Sequence, residues 1–203
     1  MPWASPLPLE CEREVAVESL RNVRVLTEAA LAIALAFVLG FVKVLDLPFG
    51  GSISLEMVPL ILFALRQGAM PGVLAGTVYG FLNLMVDPFI VHPVQVLLDY
   101  PVAFGVLGLA GLFRPTTVGT ILGTLAATAA RFVAHFVSGV VFFATFAPEG
   151  WNPAVYSAAY NAIYLVPSLI IAVVGVRLLL AALAQARPSR RQTEVSERAA
   201  RTV

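Results

Sequence analysis

Arg131, His135, Gly139 and Phe143 recur every four residues within an otherwise apolar stretch. At 3.6 residues per turn, that spacing puts all four on one face of a helix. The face offers a fixed positive charge, a titratable ring, a gap where a ligand could approach and an aromatic plate. A turn rich in Pro, Gly and Asn (147–153) follows, and the next apolar segment opens with Tyr156, Tyr160 and Asn161. Charged and titratable groups are expensive in hydrocarbon and seldom face lipid, so this set is expected to point into a cavity.

Two other apolar segments bring matching chemistry: Tyr79 and Asn83 from one, Asp99 and Tyr100 from the other. An aspartate held among Tyr79, Tyr100, Phe143 and Tyr156 is an anion surrounded by ring faces that attract a cation. His135 and Asn161 can both donate and accept hydrogen bonds, which suits a nitrogenous ring. The implied ligand is a small, planar, cationic heterocycle. A plainer reading stands beside it, in which Arg131 pairs with Asp99 as a buried salt bridge. Tyr160 and Tyr164 have a plain reading too, as members of an interfacial aromatic belt.

The segments that must position these groups follow from composition. The chain has 203 residues, 59% hydrophobic and 12% charged. A soluble domain carries roughly twice that charged fraction. Charges crowd the two ends, and long central runs have almost none, which marks a polytopic all-α membrane protein. Six apolar segments are expected at about 25–44, 54–65, 69–86, 93–113, 118–146 and 154–186. Thr27 is read as the cap of the first, and the second is short for a crossing. Residues 43–54 contain Asp46, Pro48, Gly50 and Gly51 and cannot be helix throughout. The fourth segment carries Asp99-Tyr100-Pro101 within it but reads as one helix, and no internal repeat is evident. Small residues at a spacing of four, Gly72, Gly76 and Gly80 in the third segment and Ala30 and Ala34 in the first, suit close helix contact in lipid. Alanine is also simply common here, so the first ridge has both readings.

Flanking the six-helix domain (25–186) are a polar leader (1–24), lacking a signal-peptide core, and a basic tail (187–203). Six crossings put both termini on one side. With that side cytosolic, Arg13, Arg21, Arg24, Arg66, Arg114 and the tail arginines lie inside, and only Lys43 lies outside. The positive-inside rule therefore makes both termini cytosolic. Depth follows from this orientation, because the polar residues of four helices then meet in the outward half. The inner half reads as featureless, so the protein looks like a cup open to the outside with a dry floor. Such a cup captures a scarce solute and needs another component to release it inside.

At these residues the sequence resembles the thiamine-specific substrate-binding (S) component of energy-coupling-factor (ECF) transporters, the ThiT/YuaJ family. The similar stretches are 26–37, 58–68, 99–114 and 131–161. The specific marks are His135-Phe136 with Gly139, followed by Tyr156-Ser157 and Asn161. The resemblance implies a six-helix S-component bundle in a prokaryotic plasma membrane that captures thiamine from outside with high affinity. It carries the ligand contacts onto Tyr79, Asp99, Tyr100, Arg131, His135, Gly139, Phe143, Tyr156 and Asn161. It makes Ala30 and Ala34 the docking ridge for a transmembrane coupling (T) subunit that holds two ATPases, and 46–54 a lid. The family pattern has Glu at the position of Asp99, usually Trp at Phe143 and Lys at Arg131. Charge type and aromaticity are kept, so the ligand class survives these departures.

Other classes leave weaker traces. No GxxxxGK[ST] is present, so ATP hydrolysis would fall to partners. One cysteine, Cys11, allows no internal disulfide, and no metal-ligand spacing or cofactor motif occurs. A net charge of +1 gives no footprint for nucleic acid. The rivals are an S component for another vitamin or a thiamine precursor, a solitary uniporter, and an intramembrane enzyme using His135 and Ser138. The last lacks a GxSxG elbow and a second acid in register.

Overall fold

A computed structural model describes residues 22–186. The basic tail and nearly all of the leader lie outside the described residues. The described residues form six helices with a small two-stranded hairpin between the first two.

Helix α1 spans Val23–Gly40, and its cap is Asn22, whose side chain accepts from the Arg24 amide at 3.0 Å. Thr27 lies inside the helix, with its hydroxyl donating to the Val23 carbonyl. The earlier boundary reflects how readily Asn bonds a free helix-end amide. Strands β1 (Lys43–Asp46) and β2 (Ser52–Ser54) pair antiparallel, so the first apolar run ends before the strand begins. A 3-10 turn at Pro48–Gly50 joins them, and Gly50 has φ +93°, a conformation that favours glycine.

Helix α2 (Met57–Gln67) has only 11 residues, about 16 Å, yet eight of them are buried. It plugs the centre of the bundle. The remaining helices are α3 (Ala69–Val86), α4 (Pro93–Leu112), α5 (Thr117–Phe142) and α6 (Pro153–Gln185). Along with α1, these are long and apolar enough to cross a membrane, so the protein is multi-pass.

Helix α4 is not one regular helix. It turns π-helical at Leu98–Val102, around Pro101, and 3-10 at Val106–Leu112. Proline removes an amide and crowds the preceding turn, and a widened π turn absorbs both. The irregular path is tolerated in a membrane because α3 covers it. A methyl on Gly76 would strike the Phe104 carbonyl, and one on Gly80 would strike that of Tyr100. The expected glycine ridge is therefore real and packs backbone on backbone.

Two contact sets fix which ends lie together. Glu28, near the start of α1, meets Arg66 at 3.3 Å and Gln67 at 2.7 Å at the end of α2. Lys43, just past α1, meets Asp87, just past α3, at 2.7 Å. The hairpin thus sits at the end of the bundle where α1 and α3 finish and α4 and α6 begin.

Candidate functional site

A cavity of about 310 Å³ opens at that end, within the range of small-molecule sites. All nine residues singled out from the sequence line it: Tyr79, Asp99, Tyr100, Arg131, His135, Gly139, Phe143, Tyr156 and Asn161. The hairpin contributes Gly50, Gly51 and Ser52, and Lys43 stands at the rim.

Asp99 is fixed by donors from two helices. Gln95 Nε2 gives to Oδ2 at 2.8 Å, Ser138 Oγ gives to Oδ2 at 2.9 Å, and His135 Nδ1 lies 3.0 Å from Oδ1. Gln95 in turn holds the preceding loop through the Val91 amide and the Phe89 carbonyl, both at 3.0 Å. The π turn and the α4 cap therefore aim Asp99 from its own helix, and α5 meets it from the opposite wall. Asp99 and Arg131 do not form the salt bridge of the plainer reading, since Arg131 pairs with Glu56 and Asp99 faces His135.

Arg131 is claimed by a residue that sequence reasoning missed. Glu56, buried at the start of α2, receives Arg131 Nη2 at 3.3 Å and the Tyr79 hydroxyl at 2.7 Å. Arg131 Nε donates to His135 Nε2 at 3.3 Å, and its guanidinium carbon sits 4.0 Å from the Phe104 ring centroid. A guanidinium only donates, so His135 Nε2 accepts, and the ring proton resides on Nδ1, facing Asp99. His135 is thus a neutral imidazole between a cation and an anion. The deep end of the cup is polar, which corrects the expectation of a dry floor. Below it, Thr120, Thr124 and Thr128 on α5 are also buried, so the half of the bundle away from the mouth, expected to be featureless, is not.

The other predicted residues take different parts. Tyr100 gives its hydroxyl to the Asp87 carbonyl at 2.9 Å and receives the Phe89 amide at 2.6 Å, tying the α3–α4 loop to the wall. Phe143 lies just past the end of α5, and its ring stacks on Phe89 at 5.8 Å. Gly139 lines the cavity as expected, but a methyl there would strike Ser157. That glycine lets α6 close on α5. Asn161 donates to the Ser157 carbonyl at 2.9 Å and accepts from the Tyr164 hydroxyl at 2.7 Å. Tyr156 lines the wall beside Tyr160.

Tyr160 and Tyr164 do not belong to an aromatic belt, because both line the cavity. The Tyr160 hydroxyl donates to the Pro48 carbonyl and accepts from the Gly51 amide, pinning the hairpin tip over the mouth. Ser138 and His135 both turn to Asp99 instead of to each other, which removes the geometry a nucleophile and base would need. Among the described residues no His, Cys, Asp or Glu group could hold a metal ion.

A hairpin-covered, aromatic-walled cavity with fixed charges at one end of a multi-pass helix bundle defines a membrane protein that binds a small solute. Comparison with known proteins gives the family. The family described as thiamine transporter protein (Thia_YuaJ) matches residues 26–187. The thiamine transporter ThiT of Bacillus subtilis (strain 168) is 38% identical over 170 residues, spanning 76% of this chain and 88% of that one. That of Lacticaseibacillus paracasei is 30% identical over 183 residues, spanning 79% and 88%. The solved structure of ThiT from Listeria monocytogenes superposes with a TM-score of 0.71 at 25% identity, over 80% of this chain and 96% of that one. The chain belongs to the thiamine transporter family.

Proposed function

We propose that this protein captures thiamine from the outer side of a prokaryotic plasma membrane, as the substrate-binding component of an ECF transporter. One observation carries the ligand. Asp99 presents a carboxylate, held by Gln95, Ser138 and His135, to an aromatic-walled cavity in a member of this family. A thiazolium ring carries the positive charge that such a carboxylate and Phe143 can hold. Ring nitrogens and an exocyclic amine suit hydrogen-bonding neighbours such as Asn161 and His135.

The arginine bias puts the termini in the cytosol and the hairpin-covered mouth outside. Release inward then falls to a coupling subunit and two ATPases, since the chain has no phosphate-binding loop of its own. Ala30 and Ala34 support this role. They are exposed, on the side of α1 opposite to Val25, Ala32 and Ala36, which pack into the bundle.

Calorimetric titration of the purified protein with thiamine tests the ligand. Saturable one-to-one binding is expected, and its absence sinks the reading. Ala30→Trp or Ala34→Trp should leave that binding intact and abolish cellular uptake. Persistent uptake that still needs the coupling subunit would place the docking face elsewhere.

A further inference from the structure

We infer that Glu56 sets the charge preference of this pocket, so that it takes a singly charged organic cation and turns away the phosphate esters of the same molecule. The inference rests on reading the cavity as a thiamine site, and it assigns a role to a residue outside the set that the resemblance supplies.

The argument is a charge count in a closed space. The deep ionisable groups are Glu56, Asp99, Arg131 and His135. Arg131 Nε donates to His135 Nε2, which makes the imidazole neutral with its proton turned to Asp99. Glu56 and Arg131 are both buried and meet at 3.3 Å, so the guanidinium is spoken for. Asp99 is left as the one uncompensated charge, and the enclosure is negative by one. At the rim, Lys43 is outnumbered by Asp46 and Asp87, both of which it contacts, so the mouth has the same sign. Field lines in a cleft of one sign concentrate the opposite ion.

Without Glu56 the same wall would read differently. Arg131 would cancel Asp99, and its Nη1, buried with no hydrogen-bond partner among the described residues, would stand with Nη2 as a fork for an oxyanion. Guanidinium forks are the preferred protein partners of phosphate. A pocket built on Arg131 therefore needs a second carboxylate to refuse phosphate esters, and Glu56 is placed to be it. The Tyr79 hydroxyl, donating to the other oxygen at 2.7 Å, fixes that carboxylate in place.

The test is Glu56→Gln in the full-length protein, titrated with thiamine and with thiamine monophosphate. Glutamine keeps the shape and an acceptor for Tyr79 but removes the charge. Thiamine affinity should fall on the order of tenfold, and monophosphate affinity should rise on the order of tenfold, as expected for one unit of charge at short range in a partly screened site. Where the variant is too unstable for calorimetry, monophosphate should raise its Tm more than thiamine does, the reverse of the parent order. Adding Arg131→Gln to Glu56→Gln restores a net charge of minus one and should restore the parent order. Equal weakening of both ligands in Glu56→Gln would make Glu56 a scaffold residue and overturn the inference. So would an unchanged order, or a double variant that keeps the reversed order. If the parent protein bound no thiamine at all, the reading of the cavity would fall first and this inference with it.

Discussion

Replacing Asp99 by Asn changes one atom type at the centre of a network whose other members are fixed. Oδ2 accepts from Gln95 and Ser138, and Oδ1 faces His135 Nδ1. A carboxamide can keep its oxygen toward Gln95 and Ser138 only by turning its amine onto His135 Nδ1–H. The imidazole cannot yield by moving its proton, because Nε2 already accepts from Arg131. One donor is left unpaired, which costs about 1–3 kcal/mol in a buried site. The ligand loses in addition a charge-assisted contact worth roughly 1.5–3 kcal/mol, which is about a ten- to hundredfold rise in Kd. Calorimetric titration with thiamine measures the second effect, and thermal melting without ligand measures the first. Nitrogen NMR of labelled His135 should show the neutral Nδ1–H tautomer in the parent. A Kd unchanged in Asp99→Asn would refute the reasoning, since it would mean that the carboxylate serves only Gln95, Ser138 and His135.

Further outcomes follow from the same geometry. Phe143→Trp should tighten thiamine binding a fewfold, by roughly 0.5–1 kcal/mol, and Phe143→Ala should weaken it by more; parent-like titrations for both would put this ring outside the site. Gly139→Ala drives a methyl into Ser157 and should lower both melting temperature and affinity by prising α6 from α5, whereas an unaltered melting curve would mean that the helices have slack there. Lys43→Met cuts the hairpin loose from the end of α3 and should speed ligand dissociation in stopped-flow, and an unchanged off-rate would show that Tyr160 alone holds the hairpin. Hydrogen bonding to Asp87 holds the Lys43 pKa above its ordinary value. The tie is therefore intact through neutral pH, and dissociation should quicken only as alkaline pH passes that raised value.

The sequence made the helices legible because lipid demands long apolar runs, and it made the site legible because polar residues inside such runs need a reason. Arg131, His135 and Gly139 announced themselves by a spacing of four. Glu56 did not, because a single acid at the mouth of a short segment looks like a helix start, and nothing local says that the segment is buried on every side. Gln95 was missed for a similar reason: an uncharged amide near a helix start reads as capping, which it also does. The partner of Arg131, Glu56 and not the Asp99 of the plainer reading, was not legible because sequence distance carries no information on which acid is nearer. Ser157 over Gly139 and the tyrosine hydroxyls on the hairpin are contacts between distant elements with no local pattern at all. The π turn at Asp99 was foreshadowed by Pro101, but whether proline kinks, widens or ends a helix depends on the neighbour that covers it, here the glycine ridge of α3.

That ridge has a consequence for how the site can change. At Gly76 and Gly80, where α3 meets α4, the contact is main chain on main chain, with no side chain in between to shrink, swap or tilt. The main chain at Tyr100, next to Asp99, is therefore held like a fixed peg. What can vary is the length of the arm on the peg. Aspartate in place of glutamate shortens that arm by one methylene, roughly 1.3 Å. With that backbone fixed, a ligand held by Asp99 is expected to take up the difference in its pose and sit deeper in the cavity.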